Sequence, residues 1–475
     1  MIADLYGTIG FKDEAGVELQ ATPLKVGRHQ ITFEVVAPDA ALRSSQVLGD
    51  FRFSLNDITT YAGRATLTSV TQMGTQTVCV ATIEEGWVHP RLPTWNIEPE
   101  DGSQAFRHYI NHWQKFYRVD PAFKSLLVEL QTFLGDLRFW CEPIEDGTKG
   151  SASDRQDSRM RALLHNMGKD STAMLNEFFE RFELLATKSD EGSRPAYRIL
   201  ARRLLHPLLL CSPFLYRTYR KPLGYAGDYE MVNMISRDPF EGPTFYAKLV
   251  NLWFLRQPPA EAHRNRIQFL QERIDEAVIK AAAEGRRACI YNLGCGPALE
   301  LQEYLASCAH SDGAEFVLVD FNEETLTYAR SKIMAIKKAH HRAAQFEFIK
   351  KSVNQVLKEA SASAETARDG DSRYDLVYCA GLYDYLTDAV CRRLSTQLYR
   401  LVRPGGLLLT TNVHSSNPWP MVMDFIMDWH LIYRTADEML ATNPVGANVE
   451  DMKVSSDCTG VNIYSEIFKP QVETP

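Results

Sequence analysis

The sequence predicts an α/β protein whose C-terminal part forms a doubly wound parallel sheet, and three observations indicate this architecture. From residue 286 onward, short apolar runs alternate with segments of helical periodicity. Residues 1–95 contain short β-prone runs separated by Gly, Asp and Asn, which is typical of a small barrel or sandwich. Between these parts, apolar residues recur at helical intervals. We therefore predict a β-barrel at 1–95, a helical domain at 96–255 and the α/β domain at 256–475.

Four runs carry the β signal of the first domain: HQITFEVV, FRFSL, RATLTSV and TQTVCVATI. The segment HPRLPTWNIEPEDGS contains three prolines and predicts the first domain boundary. Helical spacing begins at about residue 104. It is clearest in FRHYINHWQKFYRVDPAFKSLLVELQTFLGDLRFW, LLHNMGKDSTAMLNEFFERFELLATK, PAYRILARRLLHPLLL and AEAHRNRIQFLQERIDEAVIKAAAEG. The polar segment CEPIEDGTKGSASDRQDSRM predicts a loop, and an irregular stretch is expected before the last helix.

Composition and charge narrow the function classes. The formal net charge of −8 argues against broad nucleic-acid binding, which needs a basic face. The nine cysteines form no CxxC pair or His/Cys cluster, so we expect no metal site and no disulfide framework. The sequence contains no 18-residue apolar run and no signal pattern at its N-terminus. We expect a cytoplasmic protein without stable membrane insertion, and both a monomer and a homodimer fit the sequence.

Five candidate parallel strands follow residue 286: ACIYNLG, EFVLVDF, FEFIKKS, YDLVYCAG and GGLLLTTNV. Helical segments lie between them, as in a doubly wound sheet. Near the end, MKVSSD and VNIYSEIFK are separated by Cys-Thr-Gly, which predicts a hairpin at the sheet edge.

The stretch IYNLGCGPALE joins the first of these strands to a helix through two glycines. A glycine after a strand is often only a tight turn. Here Asp320 ends the second strand, about 20 residues later, where a carboxylate accepts hydrogen bonds from ribose hydroxyls. Asn322 then has the character of a helix N-cap. A bound nucleoside is therefore predicted, although Leu299 stands where a nicotinamide-type GxGxxG fingerprint has its third glycine.

The pieces NLGCGPA, LVDFN, YDLVYCAGLYDYL, RPGG and the final hairpin together resemble a class I S-adenosylmethionine-dependent methyltransferase. The resemblance implies a Rossmann-like, seven-stranded sheet with an antiparallel last strand, and S-adenosylmethionine as cofactor. The sequence departs from the family pattern at Asn292, which replaces an acidic residue, and at Ala298, which replaces a third glycine. Ser352 stands where another acidic residue is expected. The cofactor-binding residues that the resemblance implies are Asn292, Gly294, Cys295, Gly296, Asp320, Phe321, Ser352, Val353, Ala380 and Gly381.

A second resemblance rests on YRTYRKPLGYAGDYEMVNMI, GLYDYL and DWHLIYR. These segments resemble the bacterial family that makes 3-hydroxypalmitic acid methyl ester, a secreted signal. The resemblance implies methylation of a fatty or hydroxy acid.

The segment KPLGYAGDYEM is neither a regular helix nor a strand. One interpretation is a turn whose tyrosines pack into a core. The other is a lid in which Tyr225 and Asp228 serve catalysis and Tyr229 contacts substrate, since loops often carry such groups. Arg217 and Arg220, with Lys221, form either a solvated face or a site for a substrate carboxylate.

Further candidates follow the fourth and fifth strands, where ligands of this fold class gather. Asp384, Tyr385 and His414 are candidate catalytic residues, and Tyr383 and Asn412 are candidate substrate contacts. For the tyrosines and the histidine, a purely structural role is the alternative.

The segment MVMDFIMDWHLIYRTADEML predicts a Met- and aromatic-rich helix. Such a helix is usually core, and it could also line an apolar substrate channel. His430, Tyr433 and Arg434 would supply its polar end.

Residues 1–95 also carry part of a ligand-binding pattern. Arg28 stands alone where a pair of arginines would grip two phosphates. In NDITTYAG, Asp57, Ile58 and Thr59 are followed by Gly63 one place late. These residues resemble a PilZ domain, the cyclic di-GMP receptor, and we expect a degenerate barrel that does not bind this ligand.

Three functions fit the sequence. The first is O-methylation of a carboxylic acid, whose nucleophile is ionised at neutral pH and needs no general base. The second is a cyclic di-GMP-responsive signalling protein whose methyltransferase-like domain only binds nucleoside. The third is N- or S-methylation of a polar metabolite, because a fold does not fix a substrate. No metal-ligand spacing favours metal-assisted chemistry.

Overall fold

The computed structural model describes residues 7–12, 16–27, 29–35, 42–55, 58–73, 76–83, 107, 110, 119–146, 154–363 and 372–471. The chain divides into two compact units. The first unit comprises Met1–Ala226, Asp238–Arg256 and Pro418–His430. The second unit comprises Gly227–Arg237, Gln257–Asn417 and Leu431–Pro475.

The N-terminal strands of the first unit close into an antiparallel barrel with the order β1-β2-β3-β6-β5-β4, in which β4 pairs with β1. The barrel confirms the predicted fold of this part. The sequence analysis did not identify the first two strands. In β2, Ala21 is the one buried residue, so this strand has little apolar alternation to detect. The strands are β1 (Gly7–Lys12), β2 (Glu18–Val26), β3 (Gln30–Val35), β4 (Val47–Leu55), β5 (Ile58–Met73) and β6 (Gln76–Ile83).

Alternating apolar residues fill the barrel. In β3, the side chains of Ile31, Phe33 and Val35 are buried while those between them are half-buried, as expected for a strand with one face on a core. Phe33 packs against Phe11 and Phe51, with ring centroids 5.7 and 5.8 Å away. These aromatic contacts stabilise the barrel interior.

The helices confirm the helical periodicity of the middle segment and of the α/β part. The described α-helices are α1 (Pro121–Asp146), α2 (Asp154–Thr187), α3 (Arg194–Leu209), α4 (Pro213–Arg220), α5 (Tyr229–Ser236), α6 (Phe245–Leu255), α7 (Pro258–Ala283), α8 (Leu299–Ser307), α9 (Glu323–Ala339), α10 (Val353–Ser363), α11 (Asp388–Leu401), α12 (Pro420–Phe425) and α13 (Ala436–Ala441). None of the described helices is long and apolar enough to cross a membrane.

Three local predictions are wrong. Most of the predicted polar loop is helical, since α1 continues to Asp146 and α2 begins at Asp154. The stretch predicted to be irregular contains α4, α5 and α6. The Met- and aromatic-rich segment is not one helix, because α12 ends at Phe425 and α13 begins only at Ala436. Tyr433 and Arg434 therefore lie in an extended connection.

Asp428 explains the break in this last helix. Its backbone has φ +55°, in the left-handed region that an L-residue with a side chain rarely adopts. Its carboxylate accepts hydrogen bonds from Lys221 Nζ at 2.9 Å and from Arg202 Nη2 at 2.8 Å. His430 Nε2 lies 3.1 Å from the same carboxylate. These tertiary contacts, all within the first unit, override the local helical pattern.

The Lys221–Asp428 pair is buried, with side-chain exposures of 0% and 2%. The interpretation of Lys221 as part of a solvated face is therefore wrong. Burial lowers the pKa of Lys221 to about 8, although Asp428 opposes the shift. Burial alone would raise the pKa of Asp428, but Lys221 and Arg202 outweigh it and hold the pKa well below its usual range. Both groups are thus ionised at neutral pH.

The second unit contains a seven-stranded sheet with the order β12-β13-β11-β10-β7-β8-β9. Five neighbouring strands of this sheet, β11, β10, β7, β8 and β9, are parallel to one another. Strand β13 pairs with β11 in the antiparallel sense. This topology confirms the predicted Rossmann-like sheet, and β12 and β13 confirm the predicted hairpin. The strands are β7 (Ala288–Leu293), β8 (Ala314–Asp320), β9 (Gln345–Lys350), β10 (Tyr374–Cys379), β11 (Val402–Val413), β12 (Met452–Ser456) and β13 (Asn462–Phe468).

Both faces of this sheet are covered. On β7, Ile290 packs in a core with α7 and α8, through residues such as Ile274 and Leu301. Its neighbour Tyr291 packs in a second core that includes Leu394 of α11. Strands buried on both faces read as continuous apolar runs, which is why the sequence identified them. The carboxyl ends of β7, β8, β9 and β10 share one edge of the sheet.

We predict that Asp428→Asn lowers the free energy of unfolding by about 3 kcal/mol, because it leaves the buried charge of Lys221 and the partly buried charge of Arg202 without their carboxylate. The matched control is Glu129→Gln, which breaks a pair between Glu129 and Arg181 whose side chains are 50% and 45% exposed. The control should cost less than about 1 kcal/mol. Urea denaturation of the two variants tests this prediction, and equal effects would contradict it.

Candidate cofactor site and active site

The glycine turn after β7 is fixed against the end of β8. The N–H groups of Gly294 and Cys295 both donate to the carbonyl of Val319, at 2.8 and 3.1 Å. Gly294 and Gly296 have φ of +73° and +53°, which glycine adopts without steric cost. The turn thereby leads into α8 at the carboxyl edge of the sheet.

Asp320, the last residue of β8, is 6% exposed and connects this turn to the next one. Its Oδ2 accepts the N–H of Gly296 at 3.1 Å, and its Oδ1 accepts the N–H of Asn322 at 3.0 Å. Asn322 caps α9 by accepting the N–H of Thr325, which confirms the predicted cap. Phe321 lies between them and is half-buried. The carboxylate of Asp320 is therefore held rigidly beside the glycine turn.

Glu300 supplies a carboxylate that the sequence reading did not identify. It lies in the first turn of α8 and is 7% exposed. Its Oε1 accepts hydrogen bonds from Asn292 Nδ2 at 3.2 Å and from the hydroxyl of Tyr378 at 2.8 Å. Burial raises the pKa of Glu300 to about 6, although the bond from Tyr378 opposes the shift. The acidic group that residue 292 lacks is thus contributed from the facing helix.

The turn after β10 contacts the glycine turn. Gly381 has φ +86° and donates its N–H to Thr411 Oγ1 at 3.0 Å. A Cβ atom on Gly381 would lie 3.1 Å from both Nη atoms of Arg266, which is tighter than an ordinary contact. A Cβ atom on Gly294 would lie 3.9 Å from Leu382. The turn at Ala380 and Gly381 therefore lies beside the glycine turn at the carboxyl edge of the sheet, with the side chain of Arg266 against Gly381.

Ser352 and Val353 lie at the start of α10, after β9. The hydroxyl of Ser352 accepts the N–H of Gln355 at 3.3 Å, and Oε1 of Gln355 accepts the N–H of Ser352 at 2.8 Å. This reciprocal pair begins the helix. All ten predicted cofactor residues thus lie at or after the carboxyl ends of β7 to β10.

The residues after β10 are fixed mainly by contacts within the second unit. Tyr383 is buried, and its hydroxyl lies 2.9 Å from Ser395 Oγ. Asp384 is 4% exposed, and its Oδ1 accepts the N–H of Val413 at 2.6 Å. Burial raises the pKa of Asp384, with the bond from Val413 opposing the shift. Tyr385 is half-buried in the same 3₁₀ turn.

Arg434 holds this turn in place. It is 1% exposed and donates to the carbonyls of Tyr383 and Leu386 and to Asn412 Oδ1, at 2.8, 2.6 and 2.6 Å. It also forms an ion pair with Asp388. Arg434 therefore positions the backbone of the turn, and Asn412 positions Arg434. Tyr433 is half-buried, with its hydroxyl 3.5 Å from Asn417 Nδ2.

His414 follows β11 and is half-buried. Its Nδ1 lies 2.7 Å from the hydroxyl of Ser416 and 3.1 Å from the backbone nitrogen of the same residue, and that hydroxyl donates to the carbonyl of Gly460 at 2.9 Å. These contacts hold the ring of His414 against the loop that carries Ser416 and Gly460.

The segment predicted as a lid is shared between the two units. In the first unit, the carbonyl of Gly224 accepts the N–H of Val47 at 2.7 Å, and Arg43 stacks 4.9 Å from the ring centroid of Tyr225. Arg217 is half-buried and Arg220 is exposed, and both belong to α4 of this unit.

In the second unit, Asp228 is buried and caps α5 by accepting the N–H of Met231 at 2.9 Å. The hydroxyl of Tyr229 donates to Glu324 on α9 at 2.9 Å, and its ring lies 4.6 Å from that of Tyr328. Tyr229 is therefore held against the helix that follows Asp320.

A separate cluster lies at the opposite edge of the sheet. Asp275, Cys308 and His310 bring three potential metal-ligand atoms within 4.8 Å of one another. The carboxylate of Asp275 accepts hydrogen bonds from Tyr304 at 2.8 Å and pairs with His310 at 3.0 Å. These hydrogen bonds account for the arrangement, and we assign no metal to it.

Comparison with known proteins identifies the domain. The family described as "Methyltransferase domain" matches residues 291–408, from β7 to β11. No curated protein matches the chain. A solved structure described as a possible exported protein from Bordetella parapertussis is 20% identical, and the match covers 67% of this chain and 100% of that one with a TM-score of 0.40.

Two further solved structures are similar at lower identity. Magnesium protoporphyrin IX methyltransferase from Synechocystis PCC 6803 is 15% identical, with 44% of this chain and 84% of that one covered and a TM-score of 0.30. The N-methyltransferase NodS from Bradyrhizobium japonicum is 11% identical, with 54% and 100% covered and a TM-score of 0.29.

The matched domain agrees with the geometry of the second unit. The glycine turn, the carboxylate of Asp320 at the tip of β8 and the buried cation of Arg266 suit a cofactor with ribose hydroxyls and a charged amino acid part. Residues 291–408 carry a methyltransferase domain, and the chain is an S-adenosylmethionine-dependent methyltransferase.

Proposed function

We propose that the enzyme methylates a carboxylate oxygen of a small organic acid, a fatty or hydroxy acid, to give a methyl ester. The observation that carries this proposal is the state of the candidate bases at the carboxyl edge of the sheet. The buried carboxylate of Asp384 accepts the N–H of Val413 at 2.6 Å, and Nδ1 of His414 lies 2.7 Å from the hydroxyl of Ser416, so neighbouring protein groups occupy both side chains. A carboxylate substrate fits such a site, because its nucleophile is ionised at neutral pH, with a pKa of about 4 to 5.

The cofactor residues in this proposal have distinct roles. Asp320 would accept the ribose hydroxyls with the carboxylate that the N–H groups of Gly296 and Asn322 hold in place. Glu300, with Asn292 beside it, would bind the ammonium group of the amino acid part. When bound, S-adenosylmethionine supplies an electrophilic methyl group on its sulfonium. The protein then has to orient the nucleophile in line with that methyl group, which is a matter of proximity.

The substrate side of the site is proposed around half-buried groups. Tyr229 and Tyr385 both belong to the second unit and flank the helices and turns that follow β8 and β10. Tyr383, Asn412 and Arg434, predicted as substrate contacts, would act by holding the turn after β10. The catalytic or substrate-binding roles of five further residues remain predictions: Tyr225, Asp228, Arg217, Arg220 and Tyr433.

The remaining parts of the proposal concern the barrel and the compartment. We propose that the barrel is a degenerate PilZ-like domain that does not bind cyclic di-GMP, and that the enzyme belongs to the family that makes 3-hydroxypalmitic acid methyl ester. Arg28 and Asp57, on which the PilZ resemblance depends, lie outside the described residues. All nine cysteines are free thiols, which supports a reducing compartment such as the cytoplasm. N- or S-methylation of a polar metabolite is the alternative chemistry.

We predict that Asp320→Asn weakens binding of S-adenosylhomocysteine by about tenfold or more, because a hydrogen bond to a charged acceptor contributes about 1.5 to 3 kcal/mol. Glu323→Gln is the matched control, since Glu323 lies three residues away at the exposed start of α9 and is 67% exposed. Isothermal titration calorimetry measures both affinities, with melting temperature as a check on folding. Unchanged affinity in a folded Asp320→Asn variant would remove Asp320 from the ribose role.

We predict that affinity for S-adenosylhomocysteine falls as the pH is lowered through about 6. Burial raises the pKa of Glu300, so its carboxyl becomes neutral in this range and no longer attracts an ammonium group. The loss should approach about tenfold per pH unit, as for one linked proton. Glu300→Gln should bind more weakly at pH 7.5 and should show no such pH dependence. A wild-type affinity that is flat between pH 7.5 and 5 would contradict the assignment.

We predict that His414→Gln retains turnover on the acid substrate within about threefold, because no general base is needed. Loss of a true general base would cost about 100-fold or more. The assay uses labelled cofactor with a panel of fatty acids, hydroxy acids, amines and thiols, followed by mass spectrometry. Product from amines or thiols but not from acids would overturn the proposal in favour of N- or S-methylation.

A further inference from the structure

Arg266, on α7, carries a buried positive charge. The residue is 7% exposed. Among the described residues, no carboxylate oxygen lies within 4.0 Å of a guanidinium nitrogen of Arg266, so the side chain forms no ion pair with them. Within the described residues, its guanidinium makes one side-chain hydrogen bond, from Nη2 of Arg266 to Nε2 of His263 at 2.6 Å. A buried guanidinium is unfavourable unless an anion and further hydrogen bonds compensate for the lost water.

The partner of Arg266 does not neutralise this charge. Burial, and then the neighbouring guanidinium, hold the pKa of His263 well below its usual range, so its imidazole is neutral and accepts the hydrogen bond. Glu300 and Asp384 lie close enough for Arg266 to lower their pKa values, although burial raises both more strongly. Glu300 accepts hydrogen bonds from Asn292 and Tyr378, and Asp384 accepts one from Val413. Among the described residues, the buried charge of Arg266 therefore has no anionic partner within ion-pair distance.

The position of the guanidinium indicates where that anion binds. Both Nη atoms lie 3.1 Å from the point that a Cβ atom of Gly381 would occupy. Leu382, the next residue, lies against Gly294 of the glycine turn. Arg266 thus faces the space at the carboxyl ends of β7 and β10, two adjacent central strands. Ligands of open α/β sheets bind at this edge.

We propose that Arg266 binds the α-carboxylate of the amino acid part of S-adenosylmethionine. A guanidinium offers two parallel N–H donors that match a carboxylate, and the carboxylate is the anionic group of this cofactor. Gly381 has no side chain that would separate the two. Arg266 and Glu300 then hold opposite charges against the carboxylate and the ammonium of the same zwitterion. The inference rests on the cofactor site proposed above around Asp320 and Glu300.

The test compares ligands that differ at one group. S-adenosylhomocysteine carries the carboxylate, and its decarboxylated analogue lacks only that group. The wild-type enzyme should bind the first at least tenfold more tightly than the second. In Arg266→Gln, affinity for S-adenosylhomocysteine should fall at least tenfold, while affinity for the decarboxylated analogue stays within about twofold. Arg266→Lys keeps the positive charge but lacks the two parallel N–H donors of a guanidinium. Its affinity for S-adenosylhomocysteine should lie between those of the wild type and Arg266→Gln.

The matched control is Arg264→Gln, on the same helix, whose guanidinium donates to the carbonyl of Ile235 at 3.1 Å. It should preserve the wild-type ratio between the two ligands. If Arg266→Gln does not fold, the wild-type ratio and Arg266→Lys still decide the matter. Equal losses for both ligands in a folded variant would overturn the proposal.

The same titrations separate this inference from the site on which it depends. If the wild-type enzyme binds neither ligand, the cofactor site itself is wrong. A second outcome is that the wild-type enzyme binds both ligands and that Arg266→Gln leaves both affinities unchanged but raises the KM for an acid substrate. In that case Arg266 binds the carboxylate of the substrate. That result would overturn the assignment to the cofactor.

Discussion

The carboxylate of Asp320 is the constraint on which the rest of the site depends. By accepting the N–H groups of Gly296 and Asn322, it joins the turns that follow β7 and β8. The carbonyl of Val319 adds two bonds to the same glycine turn. Two parallel strands end side by side because of the sheet register, and these bonds convert their ends into one rigid surface. The cofactor chemistry follows from this surface, since a fixed carboxylate needs little reorganisation to receive ribose hydroxyls.

Two buried side chains of opposite charge, Glu300 and Arg266, lie around this surface. Asn292 replaces the acidic residue that the family pattern leads one to expect, and Glu300 restores a carboxylate from α8. Arg266 brings the opposite charge from α7 to the neighbouring turn. Both side chains are buried, so their electrostatic effects are stronger than they would be in water. By contrast, Asp384 accepts the N–H of Val413, and Arg434 donates to the carbonyl of Tyr383, so these two side chains stabilise the turn after β10.

The sequence predicted the sheet well because strands buried on both faces read as continuous apolar runs, and because turn glycines and an acidic strand tip are local signals. It could not predict Glu300 or Arg266 as site residues, since each acts through a partner far along the chain: Tyr378 for the first and the Gly381 turn for the second. The predicted helix through Asp428 failed for the same reason. Lys221 and Arg202 hold Asp428 in a left-handed conformation, and no local pattern records that contact.

The central claim is that the transferred methyl group ends on a carboxylate oxygen, and the alkali lability of the product tests it most directly. The enzyme is incubated with methyl-labelled S-adenosylmethionine and a long-chain hydroxy acid, and the labelled product is treated with mild alkali. A methyl ester is saponified, so the account predicts that the label is released as methanol while the free acid is regenerated. A labelled product that survives alkali unchanged would be an ether, an amine or a thioether, and would contradict the account.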